Sequence, residues 1–251
     1  MAKVMWQVDG AVRSVLLNRP DKRNALDAEM IAQLRAAFTE PPGAGERVAV
    51  VRAAGPVFCA GLDLKERSAR PADASPIEAM LHAIEVYPLP VVAVVQGDAI
   101  AGGNELALHC DLVVASKTAR FGMSLAQIGL APSWFLAKKL LEVAGPVTTR
   151  RILLLGDPLP AERLYELGVI SHIAEPADLE TVAAAVIQRL ADNAPLSLKT
   201  MKALIVREMA YRDQIPHADV DGLVEQVRRS EDAQEGMAAR LARRKPAFKG
   251  R

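Results

Sequence analysis

The stretch with the most chemical potential is Ala101-Gly102-Gly103-Asn104-Glu105, set between the apolar runs 91–95 and 112–115. The first run has the length and β-branching of a buried strand, and residues 104–109 continue as a helical pattern. A glycine pair at a helix start lets the backbone approach a ligand closely, because no Cβ stands in the way. The first N–H groups of a helix have no partner inside it, and the positive end of the helix dipole lies behind them. Such a place suits a negative oxygen. One turn in, Glu105 offers a carboxylate on a rigid element close by.

A second stretch repeats this local plan. Residues 48–52 are an apolar strand candidate, followed by Ala53-Ala54-Gly55-Pro56, Val57-Phe58-Cys59 and Ala60-Gly61-Leu62-Asp63-Leu64-Lys65. Again a strand leads through a small-residue turn to a polar helix start. Two such loops can each supply one backbone N–H to the same oxygen.

Other elements must hold these loops. Residues 4–8 and 12–17 flank Asp9-Gly10, a hairpin signal. Residues 18–23 are a polar turn, with Lys22 and Arg23 in it. Asp27 caps a helix to about Phe38, with Met30, Leu34 and Phe38 on one face. Residues 67–74 read as a polar linker. Ser75-Pro76-Ile77-Glu78 is a capping-box pattern with proline at the first helical position. On the helix it opens, Glu78 and His82 lie one turn apart and read as an exposed pair. Residues 119–122 form a short strand. Pro132-Ser133 opens a helix with Trp134 and Phe135 that ends near Gly145, and helices 146–155 and 160–167 stop at Gly156 and Gly168. Residues 169–173 are the last strand, and 179–190 an amphipathic helix. From Pro195 only helical patterns occur, which divides a core of residues 1–194 from a helical part of residues 195–251. The tail from Arg240 to Lys249 is basic, as solvated ends and some nucleic-acid arms are.

The bulk numbers narrow the classes. With 251 residues, 51% of them hydrophobic, the chain can bury one large core, mostly aliphatic because aromatics are 4%. A net charge of +1 gives no electrostatic case for nucleic acid. Two cysteines far apart fit a reducing cytoplasm. No apolar run reaches the ~18 residues of a membrane span, and the N-terminus carries no signal-peptide pattern. The 97–103 loop lacks the GxGxxG spacing of a dinucleotide site. No GxSxG element surrounds Ser116, Ser124 or Ser133. His109 and Asp111 have no neighbouring cluster of metal ligands and no metal is expected; His109 reads as a helix-end histidine. His172 and His217 have no motif around them.

Asn18-Arg19-Pro20 with Asn24-Ala25-Leu26, then Phe58-Cys59-Ala60-Gly61-Leu62-Asp63, Gly102-Gly103-Asn104-Glu105-Leu106 and Cys110-Asp111-Leu112 resemble the enoyl-CoA hydratase/isomerase (crotonase) superfamily. The motifs stand in that family's order, and the resemblance runs from Trp6 to Phe248. It implies an α/β fold, a spiral of repeated ββα units with a helical C-terminal region that assembles as a trimer or a dimer of trimers. It implies an acyl-CoA thioester as substrate, coenzyme A arriving with it and no cofactor bound permanently. By position, the amides of Leu62 and Gly102 are the expected oxyanion hole and Glu105 the expected acid/base. Beside the CoA the resemblance places Lys22, Arg23, Ala60, Asp63, Leu64, Lys245 and Phe248. Around the acyl group it places His82, Leu125 and Trp134.

The resemblance has two departures. Hydratases of this family use a second glutamate, and alignment on Phe121-Gly122 and Gly129 puts Leu125 there. Leucine neither holds a water nor moves a proton. The family pattern has glycine after Pro132, where this chain has Ser133. Two functions therefore stay open: an enzyme that stabilises a thioester enolate, and a non-catalytic acyl-CoA binder on the same fold.

Overall fold

A computed structural model describes residues 2–69 and 77–251. Residues 70–76 lie outside the described residues, and with them most of the 67–74 linker and Ser75-Pro76 of the capping signal. The expected hairpin is present as β1 (Val4–Asp9) and β2 (Val12–Leu17), antiparallel with Val4 opposite Leu17. Four strands join it in parallel: β3 (Val48–Ala53), β4 (Val91–Val95), β6 (Leu112–Ser116) and β9 (His172–Ala174). The sheet order is β1-β2-β3-β4-β6-β9. Its central strands are apolar on both faces because both faces are covered. Ala49, Val51, Val91, Ala93 and Val95 face the main core, while Val48, Val50, Val92 and Val94 pack with Leu179, Ala183 and Ile187 of α7 (Leu179–Asp192).

A second, three-stranded layer consists of β5 (Ala99–Ile100), β7 (Arg120–Gly122) and β8 (Leu159–Pro160). Two turns of the spiral take one strand from each layer and then a helix. Thus β4 and β5 lead into α4 (Gly102–Leu108), and β6 and β7 lead on to α5 (Trp134–Arg150). In the turn that starts with β3, a single bridge at Cys59 to Ala99 replaces the second strand before α2 (Leu64–Ala69). This is the expected α/β spiral of ββα units.

Asp27 caps α1 (Ala28–Thr39), its carboxylate accepting from Met30 N, and Met30, Leu34 and Phe38 are buried as the pattern requires. The helix α3 (Ile77–Glu85) buries Met80, Leu81 and Ile84. Ser133 caps α5, whose backbone leaves the helical region at Gly145 (φ 65°, ψ 172°) before Pro146, the break read from sequence. The short α6 (Ala161–Glu166) precedes β9.

The C-terminal helices are α8 (Pro195–Met209), α9 (Ala218–Arg229) and α10 (Glu231–Leu241). The buried Lys202 ties α8 to the core: its ammonium pairs with Asp111 at 2.6 Å and donates to Leu89 O and Ile84 O. α10, within the part read as helical, lies against the 3₁₀ turn Ala126–Ile128. A Cβ on Gly236 would stand 2.3 Å from Ile128 O, so only glycine permits this approach.

Candidate active site

The two glycine loops meet backbone to backbone. Ile100 N–H donates to Cys59 O at 2.9 Å, and Cys59 N–H to Asp98 O at 3.2 Å. Gly103 allows this contact, since a Cβ there would lie 2.1 Å from Cys59 O. Most amides around the junction are engaged: Ala60 N–H with Arg23 O, Gly61 N–H with the Cys59 sulfur, Asp63 N–H with Leu26 O and Ala101 N–H with Gly122 O. Among the described residues no backbone carbonyl takes the N–H of Leu62 or of Gly102. Gly102 is the first residue of α4, so its amide has no partner within the helix. A Cβ built on Gly102 would stand 3.5 Å from Leu62 N, which puts the two amides side by side. Ala101, immediately before Gly102, is held at φ 50°, ψ −118°, a strained conformation for a residue with a Cβ.

Glu105 is fully buried one turn below, and neither carboxylate oxygen has a hydrogen-bond partner among the described residues. Burial pushes its carboxyl up to about 8, against the opposing effects of the Asn104 amide and the Lys139 charge. The direction of this shift favours the protonated carboxylic acid at neutral pH. His109 caps the C-terminus of α4, as expected of a helix-end histidine, and is itself buried. It stacks on Phe135 with ring centroids 5.1 Å apart.

Behind these residues lies an ionic cluster that sequence reasoning missed. Lys139 of α5 pairs with Glu85 of α3 and, at 3.0 Å, with Glu142. Lys138 pairs with Asp213 at 2.7 Å. The available signal was charge on the apolar face of a helix: Glu85 follows Leu81 and Ile84 on the buried side of α3.

The other expected site residues are spread more widely. Lys22 and Arg23 are exposed on the turn after β2. Ala60, Asp63 and Leu64 flank Leu62 and are half-buried, but the Asp63 carboxylate already pairs with Arg19 at 2.9 Å and accepts from Lys65 N at the start of α2. His82 is exposed, but its partner is Glu85 at 3.7 Å rather than the expected Glu78. The helix turns Glu85 inward on the same face as Ile84, so a three-residue spacing replaces the four-residue one. Leu125 is half-buried against the core. Trp134, at the start of α5, lies flat on His217 with centroids 4.6 Å apart. Lys245 and Phe248 are exposed on a tail folded back along α10, where Asp232 and Glu235 accept from the amides of Lys249, Gly250 and Ala247. Among the described residues no three His, Cys, Asp or Glu side chains come together in a way that could hold a metal ion, and no helix is long and apolar enough to cross a membrane.

Known proteins resemble this chain in sequence and fold. The family model "Enoyl-CoA hydratase/isomerase" matches residues 7–251. The (E)-benzylidenesuccinyl-CoA hydratase of Thauera aromatica is 31% identical, over 98% of this chain and 99% of its own. The 1,2-epoxyphenylacetyl-CoA isomerase of Escherichia coli is 29% identical over 100% of both chains. Among solved structures, a methylmalonyl-CoA decarboxylase superposes with a TM-score of 0.90 at 26% identity, covering 99% of this chain and 98% of the other. With the motifs in order, the spiral fold observed and the match nearly end to end, the chain belongs to the enoyl-CoA hydratase/isomerase family.

Proposed function

We propose that this chain converts an acyl-CoA thioester through an enolate, whose oxygen accepts from Leu62 N–H and Gly102 N–H while Glu105 moves the proton. The observation that carries the reading is the pair of unengaged amides beside a buried carboxylic acid. When a carbon next to a thioester carbonyl is deprotonated, decarboxylated or formed by conjugate addition, negative charge gathers on the carbonyl oxygen. An aimed donor stabilises that charge by about 3–4 kcal/mol in the transition state. A carboxylic acid poised near pH 8 suits protonation of the enolate carbon, and its ionised form suits the reverse. The CoA is assigned to the side of Lys22, Arg23, Ala60, Asp63, Leu64, Lys245 and Phe248, and the acyl group to that of His82, Leu125 and Trp134. The buried free thiols of Cys59 and Cys110 fit a cytoplasmic setting.

Leu125 favours a rival reading, a silent acyl-CoA binder, because it leaves the two-glutamate route of hydration without its second carboxylate. Turnover across conjugated enoyl, β,γ-enoyl, epoxyacyl and malonyl-type CoA thioesters separates the two. Product from at least one is expected. Binding without product from any would establish the silent binder, and absence of binding would reject both.

We also propose that residues 195–251 assemble the chain into a homotrimer or a dimer of trimers. Leu196, Leu204, Ile205 and Leu223 are 58–78% exposed on α8 and α9, a stripe the single chain leaves uncovered. Sedimentation at micromolar concentration should give three or six copies; a monomer would reject the proposal.

A further inference from the structure

His109 is held from two sides next to Glu105, and both side chains are fully buried. Its Nδ1 stands 2.8 Å from Glu105 O, so in the neutral ring the proton sits on Nδ1 and that nitrogen donates. Its face rests on Phe135. The same Nδ1 is 3.7 Å from Glu105 Oε2, and Nε2 has no partner among the described residues. The charges that act on the ring are those of Glu85 on α3 and of Lys138 and Lys139 on α5, with His82 paired to Glu85 and Glu142 to Lys139. Burial first, and then the charge of Lys139, hold the imidazole down to about 3, so it stays neutral at every working pH.

A neutral ring with its proton on Nδ1 cannot accept on that atom. Toward Glu105 it can only donate. The Asn104 amide and the Lys139 charge favour the ionised Glu105 carboxylate, but neither oxygen receives a hydrogen bond of good geometry among the described residues, so that form gains from a further donor in a buried site. Closing 3.7 Å to a hydrogen-bond distance of about 2.9 Å needs only a small turn of the ring and of the glutamate.

Resting on the reading of Glu105 as the proton carrier, we propose that His109 is its positioning residue: Nδ1–H is held on the Glu105 carbonyl while the side chain is protonated, and is shared with Oε2 when it ionises. A donor that engages only the carboxylate favours the ionised form and returns to the backbone on reprotonation. The step moves no bond other than this hydrogen bond.

The test needs no substrate, so its failure is distinguishable from failure of the functional reading. The carbonyl stretch of the protonated Glu105 is followed by infrared difference spectroscopy across pH, with Glu105→Gln identifying the band. His109→Phe keeps the ring stacked on Phe135 but has no N–H. His109→Asn keeps a donor close to the place of Nδ1. With Phe, the Glu105 midpoint should rise by roughly one pH unit, so that the ionised fraction at pH 8 falls from about a half to about a tenth. With Asn it should return close to the parent. An unchanged or lowered midpoint with Phe, or no restoration by a folded Asn variant, overturns the proposal. The unaltered protein supplies a check independent of folding. Its His109 Nδ1 proton resonance should shift with the same midpoint as the Glu105 band, and a resonance constant through that midpoint overturns the proposal as well.

Discussion

Gly102→Val is expected to give a folded chain that turns over its acyl-CoA substrate at least about 10²-fold more slowly, with weakened thioester binding. The neighbours of an added Cβ explain why fold and function separate here. That Cβ would lie 2.9 Å from Ile77 Cδ1, the mobile end of a side chain, which can shift. It would also stand 3.5 Å from Leu62 N and 3.4 Å from Gly61 Cα, so the branches of valine fill the space beside both free amides. Gly103→Ala is the contrasting case. Its Cβ meets the Cys59 carbonyl at 2.1 Å, inside the contact that joins the loops, and the backbone there has nowhere to go. Loss of the fold is expected from Gly103→Ala, and loss of chemistry from Gly102→Val. Circular dichroism, thermal melting and thioester binding measured side by side decide it. A folded Gly102→Val variant with the parent's affinity and turnover would remove the amide pair from the mechanism.

The loops were legible because their physical requirement is local. A buried strand, a turn without side chains and a helix start are written in consecutive residues, and Gly61, Gly102 and Gly103 sit where backbones nearly touch. The hairpin, the cap at Asp27 and the break at Gly145 were legible for the same reason. What was not legible depends on residues distant in the chain. The link of Lys202 to Asp111 spans 91 positions, and the cluster of Glu85, Lys139 and Glu142 needs α3 and α5 to converge behind α4. No periodicity reports that convergence. Glu78 and His82 show the same limit, since four-residue spacing identifies a possible pair, but the helix face turned to the core decides whether Glu78 or Glu85 meets the imidazole. The two-residue strands β5 and β8 carry too few side chains for alternation to be visible, yet β5 leads directly into the strained Ala101 and the free amide of Gly102.

Glu105→Gln is expected to lose about 10²–10⁴-fold in turnover while becoming the more stable protein at alkaline pH. The two effects have one cause. Burial raises this carboxyl from 4.5 to about 8. Between those values the folded chain keeps a proton that the unfolded chain releases, so the contribution of Glu105 to stability, full below 4.5, is lost as pH rises through about 8. At pH 9 the parent is thus penalised by on the order of a few kcal/mol, a penalty glutamine does not carry. Melting temperatures should diverge by several degrees from pH 5 to pH 9, with the variant higher. A constant difference across that range would show that Glu105 titrates normally and is not poised for proton transfer. Leu125 supplies the complementary half. The parent should hydrate crotonyl-CoA weakly or not at all, because nothing at Leu125 holds the water, and Leu125→Glu should recover part of that activity. The recovery is limited because Leu125 packs against the core, where a carboxylate must be solvated or destabilise its surroundings. Rapid hydration by the parent would show that a second carboxylate is not needed. Full turnover by Glu105→Gln would assign the proton to another group and leave the amides of Leu62 and Gly102 as the part of the proposed apparatus still standing.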